Sequence, residues 1–148
     1  MKGFGSISEA AYLAIYSMIL FVRSGKSLNA SEVASRLFAS RHHVSKILLL
    51  LQQNNYLGSA RGPRGGFYLR KDASRINLLE IYELASGKMK ITECAFNRKK
   101  CPFAQCVFEH KINELKIDFR EFLREKTLDE YAKPESRNGH ITDSSHGQ

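Results

Sequence analysis

The chain has 148 residues, a formal net charge of +8 and three cysteines. That length suits one compact domain with an appendage, and it excludes a chain too short to bury its own core. The three thiols, Cys94, Cys101 and Cys106, lie on one short basic stretch, and an odd set so confined excludes a paired disulfide framework but begins a metal or cluster site.

The charge is unevenly placed. Residues 1–72 carry ten Lys and Arg against three acids, a net +7, whereas residues 73–148 carry thirteen against twelve, a net +1. A basic first half joined to a neutral second half is the footprint of a polyanion-binding module, although a basic surface without a dedicated partner has the same arithmetic.

The first helix is expected from Ser8, an N-cap together with Ser6, to Arg23, with Ser24-Gly25 as its stop. Its apolar run, Ala10 to Val22, is shorter than the ~20 residues that cross a bilayer. Glu9 precedes that run and no small-x-small cleavage site follows before Arg23, so a buried helix in a cytoplasmic protein is expected, with its thiols reduced. Gly25-Lys26-Ser27 imitates a phosphate-binding loop, but Leu20 stands where that loop needs glycine.

Asn29 or Ser27 can cap a second short helix with Val33, Ala34 and Leu37 on one face, and Ala39-Ser40 turns the chain. Ser40 then caps a third helix, where Val44, Ile47, Leu48 and Leu51 recur at helical spacing and Leu49 and Leu50 widen the face toward helix one. Two short helices across a tight turn form a helix-turn-helix pattern.

Two strands follow, Tyr56–Ala60 and Phe67–Arg70, joined by Arg61-Gly62-Pro63-Arg64-Gly65-Gly66. A Gly/Pro tip with two arginines directly after a helix-turn-helix is what a DNA-binding wing needs, since glycine lets backbone approach the duplex and arginine enters a narrow minor groove. The alternative is a solvated hairpin with incidental charge.

A fourth helix is expected from Leu78 to Ala85, then the cysteine loop, then helix again from about Pro102. Phe108, Ile112, Leu115, Phe119 and Phe122 step by four, three, four and three, a heptad stripe that must be buried. Its cover is either the same helix or the first helix of a second subunit, or else the chain's own core. Two DNA half-sites favour the second subunit, a homodimer. Leu128 and Tyr131 add a last turn, and the polar residues from Lys133 on are expected to be disordered.

The expected fold class is mostly α with a small β-wing: a winged helix-turn-helix domain plus a long dimerisation helix. The expected boundaries are 1–87 for the DNA-binding domain, 88–106 for the cysteine loop, 107–132 for the dimerisation helix and 133–148 for the tail.

The segment Ala39-Ser40-Arg41-His42-His43-Val44-Ser45-Lys46-Ile47-Leu48, followed by Leu57-Gly58-Ser59-Ala60-Arg61-Gly62-Pro63-Arg64-Gly65-Gly66-Phe67-Tyr68-Leu69, resembles the Rrf-two family of bacterial winged-helix transcription regulators, in its IscR- and NsrR-like three-cysteine branch. The likeness covers about residues 7 to 131, and the Arg-Gly-x-x-Gly-Gly-aromatic wing is its most specific part. It implies a homodimer on double-stranded operator DNA, with an iron–sulfur cluster held by Cys94, Cys101 and Cys106. It also implies major-groove reading from Ser40, Arg41, His42, His43 and Ser45, and minor-groove entry by Arg61 with Arg64 beside it. His43 and Ser45 depart from the family's usual tyrosine and acid, so base preference does not carry over. The cysteine spacing, with six residues and then four between ligands, also departs from the five and five of that branch, which leaves 2Fe–2S and 4Fe–4S both open.

Three thiolates leave a coordination position for a fourth ligand. His110 is one candidate, four residues after Cys106 and so one turn along an expected helix. Glu109, Glu93, Glu9 of a dimer partner and a small molecule are others. Arg98, Lys99 and Lys100 would offset thiolate charge. Zinc and inert thiols are the alternatives to a cluster, although the gap of six does not suit the usual zinc spacing. The expected function is a regulator whose operator affinity follows a cluster that senses redox state, iron or cluster supply, or nitric oxide. A cofactor-free or zinc-containing regulator is the alternative, and a small electron-transfer protein a more distant one. No nucleotide motif or acid–base pair points to an enzyme.

Overall fold

A computed structural model describes residues 7–91 and 101–133 of the chain. Helix α1, Glu9–Ser24, is apolar on almost every side and forms the centre of the core through Ala11, Leu13, Ala14, Met18 and Phe21. The Ser8 hydroxyl accepts the Ala11 N–H at its start (3.1 Å), and Gly25 in the left-handed region (φ 60°) ends it. The other expected cap, Ser6, lies outside the described residues.

Helix α2, Ala30–Leu37, starts on a reciprocal capping box. The Glu32 N–H donates to Asn29 Oδ1 (2.9 Å), and the Asn29 N–H donates to Glu32 Oε2 (2.8 Å). Its end is Phe38, left-handed at φ 52°, whose N–H bonds the Ala34 and Ser35 carbonyls while the Ala39 N–H also returns to Ala34. The turn is thus made at Phe38 rather than at Ala39-Ser40.

Helix α3, Arg41–Gln53, buries Val44, Ile47, Leu48 and Leu51 as the spacing requires. Leu49 is exposed, contrary to expectation, because four consecutive leucines sweep a wider arc than one packing face can cover. Ser40 stands at the cap position, but only its carbonyl bonds the helix; the hydroxyl does not.

The wing is an antiparallel pair, β1 (Leu57–Ala60) and β2 (Gly66–Leu69), with Leu57 opposite Leu69 and Ala60 opposite Gly66. Leu28 pairs with Phe67 through two backbone bonds (2.9 and 2.8 Å), which ties the wing to the residue before the Asn29 cap of α2. That close approach demands glycine at 66, since a Cβ there would lie 2.7 Å from the Leu28 carbonyl carbon and oxygen.

Helix α4, Leu78–Ser86, repeats the reciprocal cap, here between Asn77 and Glu80. The last long helix, α5, runs only from Lys111 to Glu125. The helical turns expected from Pro102 are absent: residues 101–110 form an irregular loop, because Glu109 and His110 both adopt left-handed backbone (φ 46° and 64°).

After α5 the chain folds back onto the first half. Thr127 bridges Asn77, the Leu78 N–H donates to the Lys126 carbonyl (2.8 Å), and the Leu128 N–H donates to the Ile76 carbonyl (2.9 Å). Leu128–Tyr131 form a 3-10 turn, the last turn expected from the sequence, and Arg23 Nε donates to the Tyr131 carbonyl (2.8 Å). Leu123 and Leu128 are buried in the same cluster as α1, α3 and α4, so one core spans both halves of the chain. No helix among the described residues is long and apolar enough to cross a membrane. The residues expected to form the tail lie outside the described residues beyond Lys133.

Candidate nucleic-acid interface and cysteine segment

The start of α3 presents Ser40, Arg41, His42 and His43 to solvent, with Ser45 half-buried one turn along. The wing places Arg61 and Arg64 on its exposed tip, where the Gly65 N–H closes a tight turn onto the Gly62 carbonyl (2.8 Å). Among the described residues no carboxylate pairs with Arg41, Arg61 or Arg64, and all three are exposed. His43 differs: its Nδ1 lies 3.3 Å from Glu9 Oε1. Glu9, a candidate ligand by its position, is therefore turned toward the reading helix of its own chain.

One positioning contact has no counterpart in the sequence reading. The Gln52 side-chain amide donates to Ser59 Oγ (2.9 Å), which joins the end of α3 to β1 and sets the wing against the reading helix. Exposed Lys46 and Arg36 also extend the cationic surface along α3 and α2. Their charge was legible, but their direction was not.

Of the three cysteines, Cys94 lies outside the described residues, as do Glu93, Arg98, Lys99 and Lys100. Cys101 and Cys106 are free thiols, each half-exposed on the irregular loop. The backbone amides of His110, then those of Phe108 and Glu109, lower the Cys106 thiol pKa from its ordinary value, against slight burial and the nearby Glu109 carboxylate. Two free, half-exposed thiols on one loop are soft donors of the kind that ligate iron or zinc as thiolates, so the donor chemistry present fits such a group. Among the described residues no three His, Cys, Asp or Glu side chains converge on one point.

The expected route from Cys106 to His110, one turn along a helix, does not exist. His110 is the left-handed residue before α5 (φ 64°), and no helical turn joins it to Cys106.

The apolar stripe divides. Phe108 falls in the loop, before the helix, and is exposed. Phe119 packs edge-on against Tyr82 of α4 (centroids 6.0 Å apart, planes at 86°), and Ile112 is half-buried. Leu115 and Phe122, on the adjacent side of α5, remain 45% and 49% exposed. The chain's own core thus covers part of the stripe and leaves the rest bare.

The family model described as Rrf2, iron-dependent transcriptional regulator, matches residues 7–134. The chain belongs to the Rrf2 family. Its relatives include the HTH-type transcriptional regulator NsrR of Bacillus subtilis, 28% identical over 113 residues, which are 75% of this chain and 77% of that protein. Among solved structures, CymR, the global cysteine regulator of B. subtilis, superposes with a TM-score of 0.71 at 18% identity, over 86% of this chain and 96% of that one. The IscR of T. potens superposes with a TM-score of 0.65 at 18% identity, over 85% of each chain. The Rrf2 match makes the chain a DNA-binding winged-helix transcription regulator rather than an enzyme.

Proposed function

We propose that this Rrf2 protein is a cytoplasmic, homodimeric regulator whose operator affinity is set by an iron–sulfur cluster on Cys94, Cys101 and Cys106. The observation that carries the reading is the pair of free thiols, Cys101 and Cys106, half-exposed on the loop that leads directly into α5. When bound, the cluster supplies a redox-labile, nitric-oxide-reactive and iron-dependent centre. The chain's own part is to hold the thiolates, with Cys106 stabilised by its amides, and to couple the loop to α5.

Leu115 and Phe122 are the bare apolar side of α5, and a second copy is the cover that supplies two reading heads for two half-sites. Ser40, Arg41, His42, His43 and Ser45 then face the major groove, with Arg61 and Arg64 at the minor groove and backbone. A ligand that favours one dimer geometry shifts operator affinity by its difference in affinity for the two states. The fourth ligand is left to His110, Glu109, Glu9 of the second copy or a small molecule.

Anaerobic purification tests the cofactor. A brown protein containing iron and sulfide, colourless once Cys106→Ser is introduced, supports the cluster; a colourless wild-type protein with zinc or no metal overturns it. Arg61→Ala tests the wing. Operator binding is expected to fall more than binding to random duplex, and an equal fall in both would remove groove reading from Arg61.

A further inference from the structure

Phe38 stands at the turn between the two short helices, and its side chain is 99% exposed. Among the described residues it lies outside the core cluster, so its ring adds nothing to the core. Its backbone is left-handed (φ 52°), a conformation that costs a residue with a Cβ ~1–2 kcal/mol and that glycine adopts freely. Helices commonly end in this way on glycine or asparagine. A phenyl ring here therefore strains the backbone and exposes apolar surface, and the fold gains nothing from either.

Its surroundings indicate where the return lies. Ser35 and Arg36 precede it, Ser40 and Arg41 follow, and all four are exposed. Phe38 is two residues from Ser40, the cap position of the reading helix, at most ~7.6 Å between α-carbons. A single apolar ring set among cations and hydroxyls matches a polyanion that also offers apolar surface. The duplex has both, in its phosphates and in the thymine C5-methyl groups and deoxyribose faces at the groove edge.

We infer that Phe38 is a further DNA-contacting residue of this regulator, packing its ring on a thymine methyl or a deoxyribose where α3 enters the major groove. This rests on the DNA-binding reading of α3 and the wing.

The test uses the full-length protein under anaerobic conditions and a short duplex that the wild type selects from a randomised pool. Phe38→Gly and Phe38→Asn both keep the left-handed turn, so they should fold, with Phe38→Gly melting at or above the wild-type temperature. Each should bind the selected duplex roughly tenfold more weakly, with a smaller change on random duplex. In the same duplex with uracil for thymine, an equal loss by the wild type and none by Phe38→Gly assigns the contact to the methyl. No loss by the wild type assigns it to the sugar.

If both variants bind the selected duplex like wild type while Arg61→Ala falls, the inference fails and the DNA reading stands. Normal DNA binding by both variants with lost control of transcription in a reconstituted assay would give Phe38 to a protein partner and also overturns it. A wild type that selects no duplex overturns both readings.

Discussion

The reading head and the cysteine segment of this chain are built on opposite terms. In the head, α2 and α4 each begin on a reciprocal Asn/Glu cap, Leu13, Met18 and Phe21 of α1 and Val44, Ile47, Leu48 and Leu51 of α3 turn inward, and the exposed groups at the start of α3 and on the wing tip are polar or cationic. In the cysteine segment, α5 starts on two left-handed residues without a side-chain cap, while Phe103, Val107 and Phe108 before it, and Leu115 and Phe122 along it, are exposed. The core of the head is complete within a single chain, with Phe38 and Leu49 left outside it. The cysteine segment leaves one apolar side of its helix and two free thiols for something outside the chain to complete.

The largest expected effect tests the first half of that contrast. Phe21→Ala, at a fully buried position of α1, should cost about 3–5 kcal/mol in urea denaturation. A cost of a few tenths would mean that the head is not the self-sufficient core described.

The second half is tested by the pair Leu115→Asp and Phe122→Asp. The circular dichroism of the double variant should match wild type, sedimentation should show a dimer for the wild type and a monomer for the variant, and operator affinity should fall about a hundredfold through loss of bivalence. A variant that stays dimeric would move the interface elsewhere.

A smaller effect separates the two kinds of helix start. Asn77→Ala removes the side-chain half of the α4 cap and should cost about 1 kcal/mol in thermal or urea melts. A polar-to-alanine change at exposed His110 deletes no such cap and should stay within about 0.5 kcal/mol.

Legibility followed the same division. The head was readable because caps, periodicity and turn glycines agree locally: Asn29 with Glu32, the four buried residues of α3, and the Arg-Gly-Pro-Arg-Gly-Gly tip all point to one structure. The start of α5 was misjudged because the apolar stripe runs through Phe108 and carries helical periodicity past the true boundary. The residues that break the helix are Glu109 and His110, neither a type that announces positive φ, and Phe38 hides its left-handed turn in the same way. The return of the chain to the core did carry a readable sign, since Thr127 and Glu130 form a capping box just ahead of Leu128–Tyr131. Leu49 misled for a simpler reason: a run of leucines does not say which one faces out.

The claim on which the account depends is that the sulfur ligands and the reading heads are coupled. Anaerobic fluorescence anisotropy on one operator duplex, with wild type and the Cys94→Ser, Cys101→Ser, Cys106→Ser triple variant, each measured after cluster reconstitution and after chelation of iron, tests it directly. The account predicts that wild-type affinity changes at least about tenfold between the two treatments, a coupling of ordinary size for two linked sites, while the triple variant does not change. Equal wild-type affinity under both treatments would contradict it.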